Sequence, residues 1–416
     1  MSEPLRILWL KTGPLHPVDT GGKIRTFNML RELRKKHRVI YLALCPNATD
    51  EAVKRAATEY SHEQIWIPWE ETPKFTAGFY AELAGNYFLT RQPYIIQKYE
   101  SDMMAMRIQD EDLAQKHDLI VCDFLTPAVN LMPGGQRPET PTLLFQHNVE
   151  ALIWKRTYET TEGWLKRFYF RGQWRRMLAF EREACAGVDA VAGVSDQDCE
   201  LMRKELGLTN VIGSVPTGVD IEHFRPTSTA RKQRSIAFLG SMDWMPNIDG
   251  VMWFADEIWP ALKEKFPDAT LTVIGRKPTP KVQALAQRDK AIRVTGTVPD
   301  VRPFLAEAEV MVVPLRVGGG TRIKIFEAMA TGIPVVSTRI GAEGLPVRHG
   351  EDILLADRPG DFAQQIAFLF EQEALRRSIG QSARKLVQER FSWESVTGVF
   401  EKYCHEVALR RRGTKK

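Results

Sequence analysis

Short apolar runs alternate with longer stretches of helical period along almost the whole chain. Runs at 7–10, 39–44, 65–68, 119–122, 142–145, 190–193 and 211–215 are brief and largely apolar. A strand in a parallel sheet has this character, because helices cover both of its faces. Helical patterns at 22–35 and 50–60 separate the first of these runs. At 216–235, "PTGVDIEHFRPTSTARKQRS", the period is lost and Pro, Gly, Ser, Thr and Arg accumulate, which marks a linker. A second series of runs follows at 235–239, 270–274, 292–295, 310–314, 334–337 and 353–355, with a long helical pattern at 248–265. A final helical pattern spans 393–412 and leads into a basic tail. The alternation predicts an α/β fold of two Rossmann-like, doubly wound domains facing each other across a cleft. Their expected limits are 1–216 and 217–392, with 393–416 crossing back to the first.

Composition narrows the function classes. A chain of 416 residues has material for two cores, and its 44% apolar and 26% charged content is that of an ordinary globular protein. A net charge of +5 permits acidic ligands without requiring them. No aromatic strand of the RNA-binding kind is present, so nucleic acid is not an expected partner. The five cysteines, Cys45, Cys122, Cys185, Cys199 and Cys404, form no CxxC pair and have no histidines at zinc-ligand spacing. Reduced thiols and no metal are therefore expected. The apolar run near the start is too short for a secretory signal, and none approaches the roughly 18 residues of a spanning helix. The expected location is the cytoplasm, with room for peripheral contact at the cytoplasmic face of a membrane.

One stretch carries most of the chemistry: "RVGGGTRIKIFEAMATGIPVVST", from Arg316 to Thr338. Three glycines lie between an apolar run and a helical pattern. Glycines let backbone N–H groups approach a ligand, and the first N–H groups of a helix are unpaired and partly positive. Together they suit a phosphate. Lys324 and Glu327 are three residues apart and share a helix face, whereas Arg322 points about 140° away from Glu327. Glu327 lies roughly 9–10 Å along the axis from the first turn, a span that fits phosphates at one end and a vicinal diol at the other. The plainer reading is a turn followed by a surface ion pair. The small residues after Glu327, Ala328-Met329-Ala330-Thr331-Gly332, favour a helix packed close to its sheet, where a carboxylate needs a partner.

"GGGTRIKIFEAMATGIPVVST" resembles the donor-site signature of retaining glycosyltransferases of the GT-B fold, family GT4. The segments "VPTGVDIEHF", "SIAFLGSMDWMPN", "LTVIGRKP" and "VTGTVPDVRPFLAEAEVMVVPL" are similar to that family's second domain in order and spacing. "DTGGKIRTFNMLREL" and "LFQHNVEALIWKR" are similar to parts of its first. The resemblance implies that Glu327 holds the ribose of a nucleotide-sugar donor and that backbone at Gly319, Gly320 and Thr321 binds its diphosphate. Lys324, Arg322 and Arg276 are the cations expected near that diphosphate. Gly240 lies in the opening loop of the second domain, and Gly296 and Val298 flank the base. His147 falls beside the transferred sugar, and Gly21 and Gly22 form the loop after the first strand, facing donor phosphate and acceptor. His147 and Lys324 are the implied catalytic residues.

Three positions depart from the family. A glutamate eight residues before Glu327 is replaced by Gly319, and an Arg and a Lys after the second domain's first strand are replaced by Ser241 and Pro246. The implied reaction moves a sugar from a nucleotide-diphosphate sugar to a glycan, glycolipid or lipid-linked acceptor, with no cofactor and no metal, in the service of surface polysaccharide synthesis. A non-catalytic nucleotide-sugar binder and a sugar-nucleotide epimerase are the alternatives. The segment 154–183 mixes aromatic with basic residues. Packing on its own domain through Trp164, Phe168 and Trp174 is favoured there over contact with an anionic bilayer.

Overall fold

The computed structural model describes residues 3–161, 163–317 and 323–412. The chain divides into two compact units, Met1–Pro216 with Val396–Lys416, and Thr217–Ser395.

The first unit is built on a seven-stranded parallel sheet of order β3-β2-β1-β4-β5-β6-β7. Its strands are β1 Arg6–Lys11, β2 Arg38–Pro46, β3 Glu63–Trp69, β4 Leu119–Asp123, β5 Thr142–Phe145, β6 Ala190–Gly193 and β7 Val211–Ser214. Register places Trp9 between Tyr41 of β2 and Val121 of β4. Strands β1, β4 and β5 have almost no exposed residue, which is why they read as unbroken apolar runs. The chain winds outward to β3 and then returns to lay β4 on the other side of β1. That reversal opens a crevice at the carboxyl ends of β1 and β4, where ligands of open α/β sheets bind.

Helix α1, Gly21–Arg34, follows β1 and buries Arg25, Thr26, Met29, Leu30 and Leu33 along one face. Gly21 and Gly22 are therefore the first turn of a helix, in keeping with the helical pattern over 22–35, rather than the loop implied by the resemblance. At Gly22 the ring of Phe124 lies so close that an added Cβ would sit 2.8 Å from Cζ. Glycine here serves a close approach. The remaining helices that matter to function are α2 Ala77–Leu89, α3 Glu150–Thr160, α4 Trp164–Gly187 and α5 Asp196–Glu205. The segment 154–183 is thus shared by two helices, and Gly163 before α4 adopts φ +86. Trp174 packs as expected, stacked on Tyr158 at 5.7 Å. Trp164 and Phe168 do not: they are 77% and 61% exposed.

The second unit carries a six-stranded parallel sheet of order β10-β9-β8-β11-β12-β13. The strands are β8 Ser235–Leu239, β9 Thr270–Ile274, β10 Ile292–Val294, β11 Val310–Val313, β12 Val335–Ser337 and β13 Leu354–Leu355. Again the winding reverses, here between β8 and β11. Helix α6, Met245–Trp253, runs through a wide turn at Phe254–Ile258 into a further helix, Trp259–Lys265. The single helix expected over 248–265 is interrupted because Pro260 has no N–H to give to the carbonyl four residues back. Helix α7, Ile323–Ala330, buries Ile325, Phe326, Ala328, Met329 and Ala330, and Phe326 stacks on Phe391 at 4.3 Å. The small residues bring this helix close to the sheet.

Helix α8, Trp393–Arg412, groups with the first unit from Val396 onward. There Phe400 is fully buried, 5.7 Å from the ring of Trp9 and 5.0 Å from that of Phe145. Truncating it leaves a cavity beneath the central strands. Phe400→Ala should lower stability by about 3–5 kcal/mol, read as a lower urea midpoint for the first unit. A loss under about 1 kcal/mol would show that the helix does not seal that core.

Candidate functional site

Because β1, β4 and β5 lie side by side, their carboxyl ends bring Lys11, Asp123 and the residues just after Phe145 to one rim. The Asp123 carboxylate is fully buried. Its Oδ2 accepts hydrogen bonds from Lys11 Nζ (2.7 Å), Thr26 Oγ1 (2.6 Å) and Trp9 Nε1 (3.1 Å). Its Oδ1 lies 2.8 Å from His147 Nε2, close enough for charge to act although the ring N–H is not in line. Burial opposes ionisation of Asp123, but the Lys11 charge and the His147 contact outweigh it and hold the carboxyl well below the usual range. Burial pushes the His147 imidazole down to about 3, with Asp123 only partly offsetting it. His147 is therefore neutral at physiological pH.

The ring of His147 is clamped by Phe124, with centroids 3.7 Å apart. Behind it, buried Glu181 accepts from Gln146 Nε2 and from the N–H groups of Glu150 and Ala151 at the start of α3. That carboxylate fixes the turn from β5 into α3 and so fixes the imidazole.

Arg25, on α1, is only 6% exposed and makes no ion pair or hydrogen bond among the described residues. Burial lowers its guanidinium to about 10, and the nearby charges of Asp123 and Asp198 pull it back up. Lys11 and Arg25 face the carboxylates of Asp123 and Asp198, so charge is balanced here, but the Arg25 guanidinium has no direct partner among the described residues. A buried guanidinium with free donors is costly, so Arg25 suits a ligand group that accepts hydrogen bonds.

In the second unit, the carboxyl ends of β8, β9, β10 and β11 assemble Gly240, Arg276, Gly296 and Val298 on one rim with α7 following β11. Gly319, Gly320, Thr321 and Arg322 lie outside the described residues. The loops after β8 and β9 touch backbone to backbone: a Cβ at Gly275 would collide with the carbonyl oxygen of Gly240. At Gly240 a Cβ would meet the Asn247 amide at 2.6 Å. Asn247 is buried, donates to the Ser241 carbonyl (2.9 Å) and accepts from Lys324 Nζ (2.8 Å). Lys324 also lies 5.2 Å over the Phe238 ring. Arg276 Nε donates to Ser241 Oγ at 2.9 Å, and that hydroxyl donates to Asp243 at 2.6 Å. Ser241, where a family cation was expected, is thus the link that holds Arg276. Gly296 has φ +70 with open space where a side chain would stand, and half-buried Val298 packs beneath it.

Glu327 is half-buried on α7, and its carboxylate has no hydrogen-bond partner among the described residues. Burial raises its carboxyl to about 7, with Lys324 pulling it down. A shielded carboxylate without a donor is a site waiting for hydroxyl hydrogens.

Sequence reasoning missed Lys11, Asp123, Arg25 and Asn247. A signal was present for two of them: Lys11 and Asp123 are charged residues that end otherwise apolar strands. Among the described residues, His37, Glu401 and His405 bring possible metal-ligand atoms together. His37 Nδ1, however, accepts the Leu5 N–H at 3.0 Å, which puts its proton on Nε2 facing Glu401 at 3.3 Å. That tautomer has no lone pair left for a metal.

Residues 233–372 match the family model described as glycosyl transferases group 1, so the second unit carries a domain of that kind. An uncharacterized 44.6 kDa protein in cps region of Klebsiella pneumoniae is 21% identical over 350 residues, covering 79% of this chain and 87% of its own. A D-inositol 3-phosphate glycosyltransferase of Rhodococcus jostii is 25% identical over 238 residues, 51% of each chain. Among solved structures, sucrose-phosphate synthase from Thermosynechococcus elongatus superposes with a TM-score of 0.66 at 16% identity, over 98% of this chain and 99% of its own. Anabaena Alr3699/HepE in complex with UDP gives 0.67 at 14% identity, over 97% and 100%. At such identities the likeness is one of fold, and the chain has the two Rossmann-like domains of the GT-B fold.

Glu327 gives the protein a pH signature. Its folded value near 7 lies above its unfolded value of 4.5, so the unfolded chain holds fewer protons between them. The contribution is fully favourable below pH 4.5 and is lost as pH rises through 7. Glu327→Gln should flatten this part of a stability–pH profile measured by urea unfolding. An unchanged slope would mean that Glu327 is an ordinary solvated carboxylate.

Proposed function

We propose that the protein is a glycosyltransferase that moves a sugar from a nucleoside diphosphate sugar to a glycan, glycolipid or lipid-linked acceptor, with retention at the anomeric carbon. The observation that carries this reading is the unpartnered, half-buried Glu327 one helical turn from Lys324, at the carboxyl edge of the second sheet. The group 1 domain match over 233–372 supports it. Glu327 accepts the two ribose hydroxyls, the diphosphate lies at the start of α7 beside Lys324, and the base lies against Gly296 to Val298. Arg276 supplies further positive charge.

In the reaction the bond between the anomeric carbon and the diphosphate oxygen breaks, and its electron pair leaves with the diphosphate. Lys324 and the positive end of α7 meet that growing charge with a preorganised field, a role we assign to them rather than to a metal. The acceptor hydroxyl attacks from the same face, and its proton passes to a diphosphate oxygen. No protein nucleophile is needed. In the first unit, His147 is a neutral ring whose Nε2 faces Asp123, so Nδ1 is the atom that accepts a hydrogen bond from a sugar hydroxyl. Arg25, buried and without a direct hydrogen-bond partner among the described residues, receives an oxygen acceptor of the ligand. Work on surface polysaccharide, on the cytoplasmic side of a membrane, is the setting we favour. Gly319, where the resembling family has a glutamate, favours one rival reading, a nucleotide-sugar binder without turnover.

Mass spectrometry of UDP-, GDP-, ADP- and TDP-sugars incubated with the protein and acceptor extracts tests this. One donor should be consumed, and Lys324→Ala should lower kcat/KM roughly 10- to 100-fold, as loss of a charge-assisted hydrogen bond does. Asn247→Ala should cost less, because the cation remains. Calorimetry in two buffers should show proton release on nucleotide binding near pH 7, since a diol on Glu327 draws its carboxyl down from about 7. Tight binding without consumption would establish the rival. Full turnover in the Lys324→Ala variant would remove the assigned role of that cation.

A further inference from the structure

Helix α2, Ala77–Leu89, is built inside out. Its sequence is AGFYAELAGNYFL, yet its one buried residue is Asn86. The Asn86 amide donates to the Gln92 carbonyl (2.9 Å) and accepts from Gln173 of α4 (3.0 Å). Arg176 of α4 donates to the carbonyls of Asn86 (2.9 Å) and Tyr87 (2.5 Å). Polar groups thus fasten the inner face, and the helix turns Tyr80, Phe88 and Leu89 to solvent, the last two 80% and 85% exposed. A helix that only packs on its domain has the opposite pattern.

The start of α4 continues the same surface. Tyr87 of α2 lies 6.2 Å from Phe168 and 5.7 Å from Tyr169, ring to ring. Trp164, Leu165 and Phe168, in the first turns of α4, are exposed, and exposed Phe75, just before α2, lies 6.2 Å ring to ring from Phe79 of α2. Single exposed apolar residues are ordinary; a contiguous aromatic patch on two fastened helices marks a contact surface.

The charges select its occupant. From Trp164 to Arg176 the chain has five basic residues and no acidic one. Lys166, Arg167, Arg171 and Arg175 are exposed. The one acidic side chain of α2, Glu82, is engaged by Thr72 and by the Tyr94 hydroxyl. A second copy docking through the same patch would set cation against cation. No helix among the described residues is long and apolar enough to cross a membrane. Exposed aromatic side chains beside a run of Lys and Arg are the composition of a surface that lies in the headgroup–acyl boundary of an anionic bilayer.

We infer that α2 and the first turns of α4 form a membrane-docking face, with Phe88, Leu89, Trp164 and Phe168 inserted at the interface and the cations of α4 on anionic headgroups. The inference does not rest on the transferase reading, since nucleotide binding can succeed where vesicle binding fails, and the reverse.

The test is sedimentation of the full chain with vesicles of phosphatidylcholine alone and of phosphatidylcholine mixed with phosphatidylglycerol. The protein should partition onto the mixed vesicles only, and less so as salt is raised. The double variant Lys166→Glu/Arg171→Glu should bind roughly fivefold more weakly for each cation removed, or worse. Phe88→Ser/Trp164→Ser should reduce partition at least about tenfold while its circular dichroism and melting temperature stay those of the wild type. Absence of binding to anionic vesicles, or binding unchanged in both double variants, would overturn the inference. So would a lipid-free dimer that the Phe88→Ser/Trp164→Ser variant converts to monomer, because the patch would then be a protein interface.

Discussion

A carboxylate sealed inside the first unit sets the terms for everything around it. Asp123 ends the central strand β4 with no exposed surface, and a buried charge costs several kcal/mol unless donors surround it. Trp9 and Lys11 reach it from β1, Thr26 from α1 and His147 from beyond β5. These residues are scattered over more than a hundred positions of sequence. They meet only if β4 inserts beside β1 and α1 lies across the same edge. The strand order that creates the crevice and the ion cluster that lines it are thus one requirement. Burial, which Asp123 only partly offsets, keeps His147 neutral, and Arg25 stands beside the cluster without a direct partner among the described residues.

The second unit solves the same architectural problem with backbone contact instead of buried charge. Gly240 and Gly275 let two loops touch, Asn247 fills the space beside them, and Lys324 is tied to Asn247. Glu327, by contrast, has no hydrogen-bond partner among the described residues. In the first rim, Asp123 has its donors, whereas in the second a carboxylate is shielded from water and given none. A ligand that brings vicinal hydroxyls would complete the second rim, which is why the proposed donor nucleotide is placed there.

Much of the fold could be read from the chain because parallel strands covered on both faces are the easiest elements to see. The runs at 39–44 and 310–314 are buried strands, and α8 has the limits its periodicity suggests. Chemistry that depends on partners far apart in sequence could not be read this way. Nothing local says that Lys11 meets Asp123 or that Lys324 meets Asn247, separated by 112 and 77 positions. The resemblance implies a loop at Gly21 and Gly22 whereas the helical pattern begins at Gly22, and the Phe124 ring above Gly22 explains why glycine stands at that helix start. Trp164 and Phe168 were expected to pack inward because aromatics normally do. Their exposure follows from α2 presenting Asn86, not an apolar face, to α4.

A crystal structure of the protein with the nucleoside diphosphate sugar it binds tests the assignment of the second rim most directly. The ribose hydroxyls should both donate to Glu327 and the diphosphate should lie at the start of α7 within reach of Lys324. A nucleotide bound anywhere else, or a Glu327 carboxylate turned onto a protein donor while the nucleotide is in place, would contradict it.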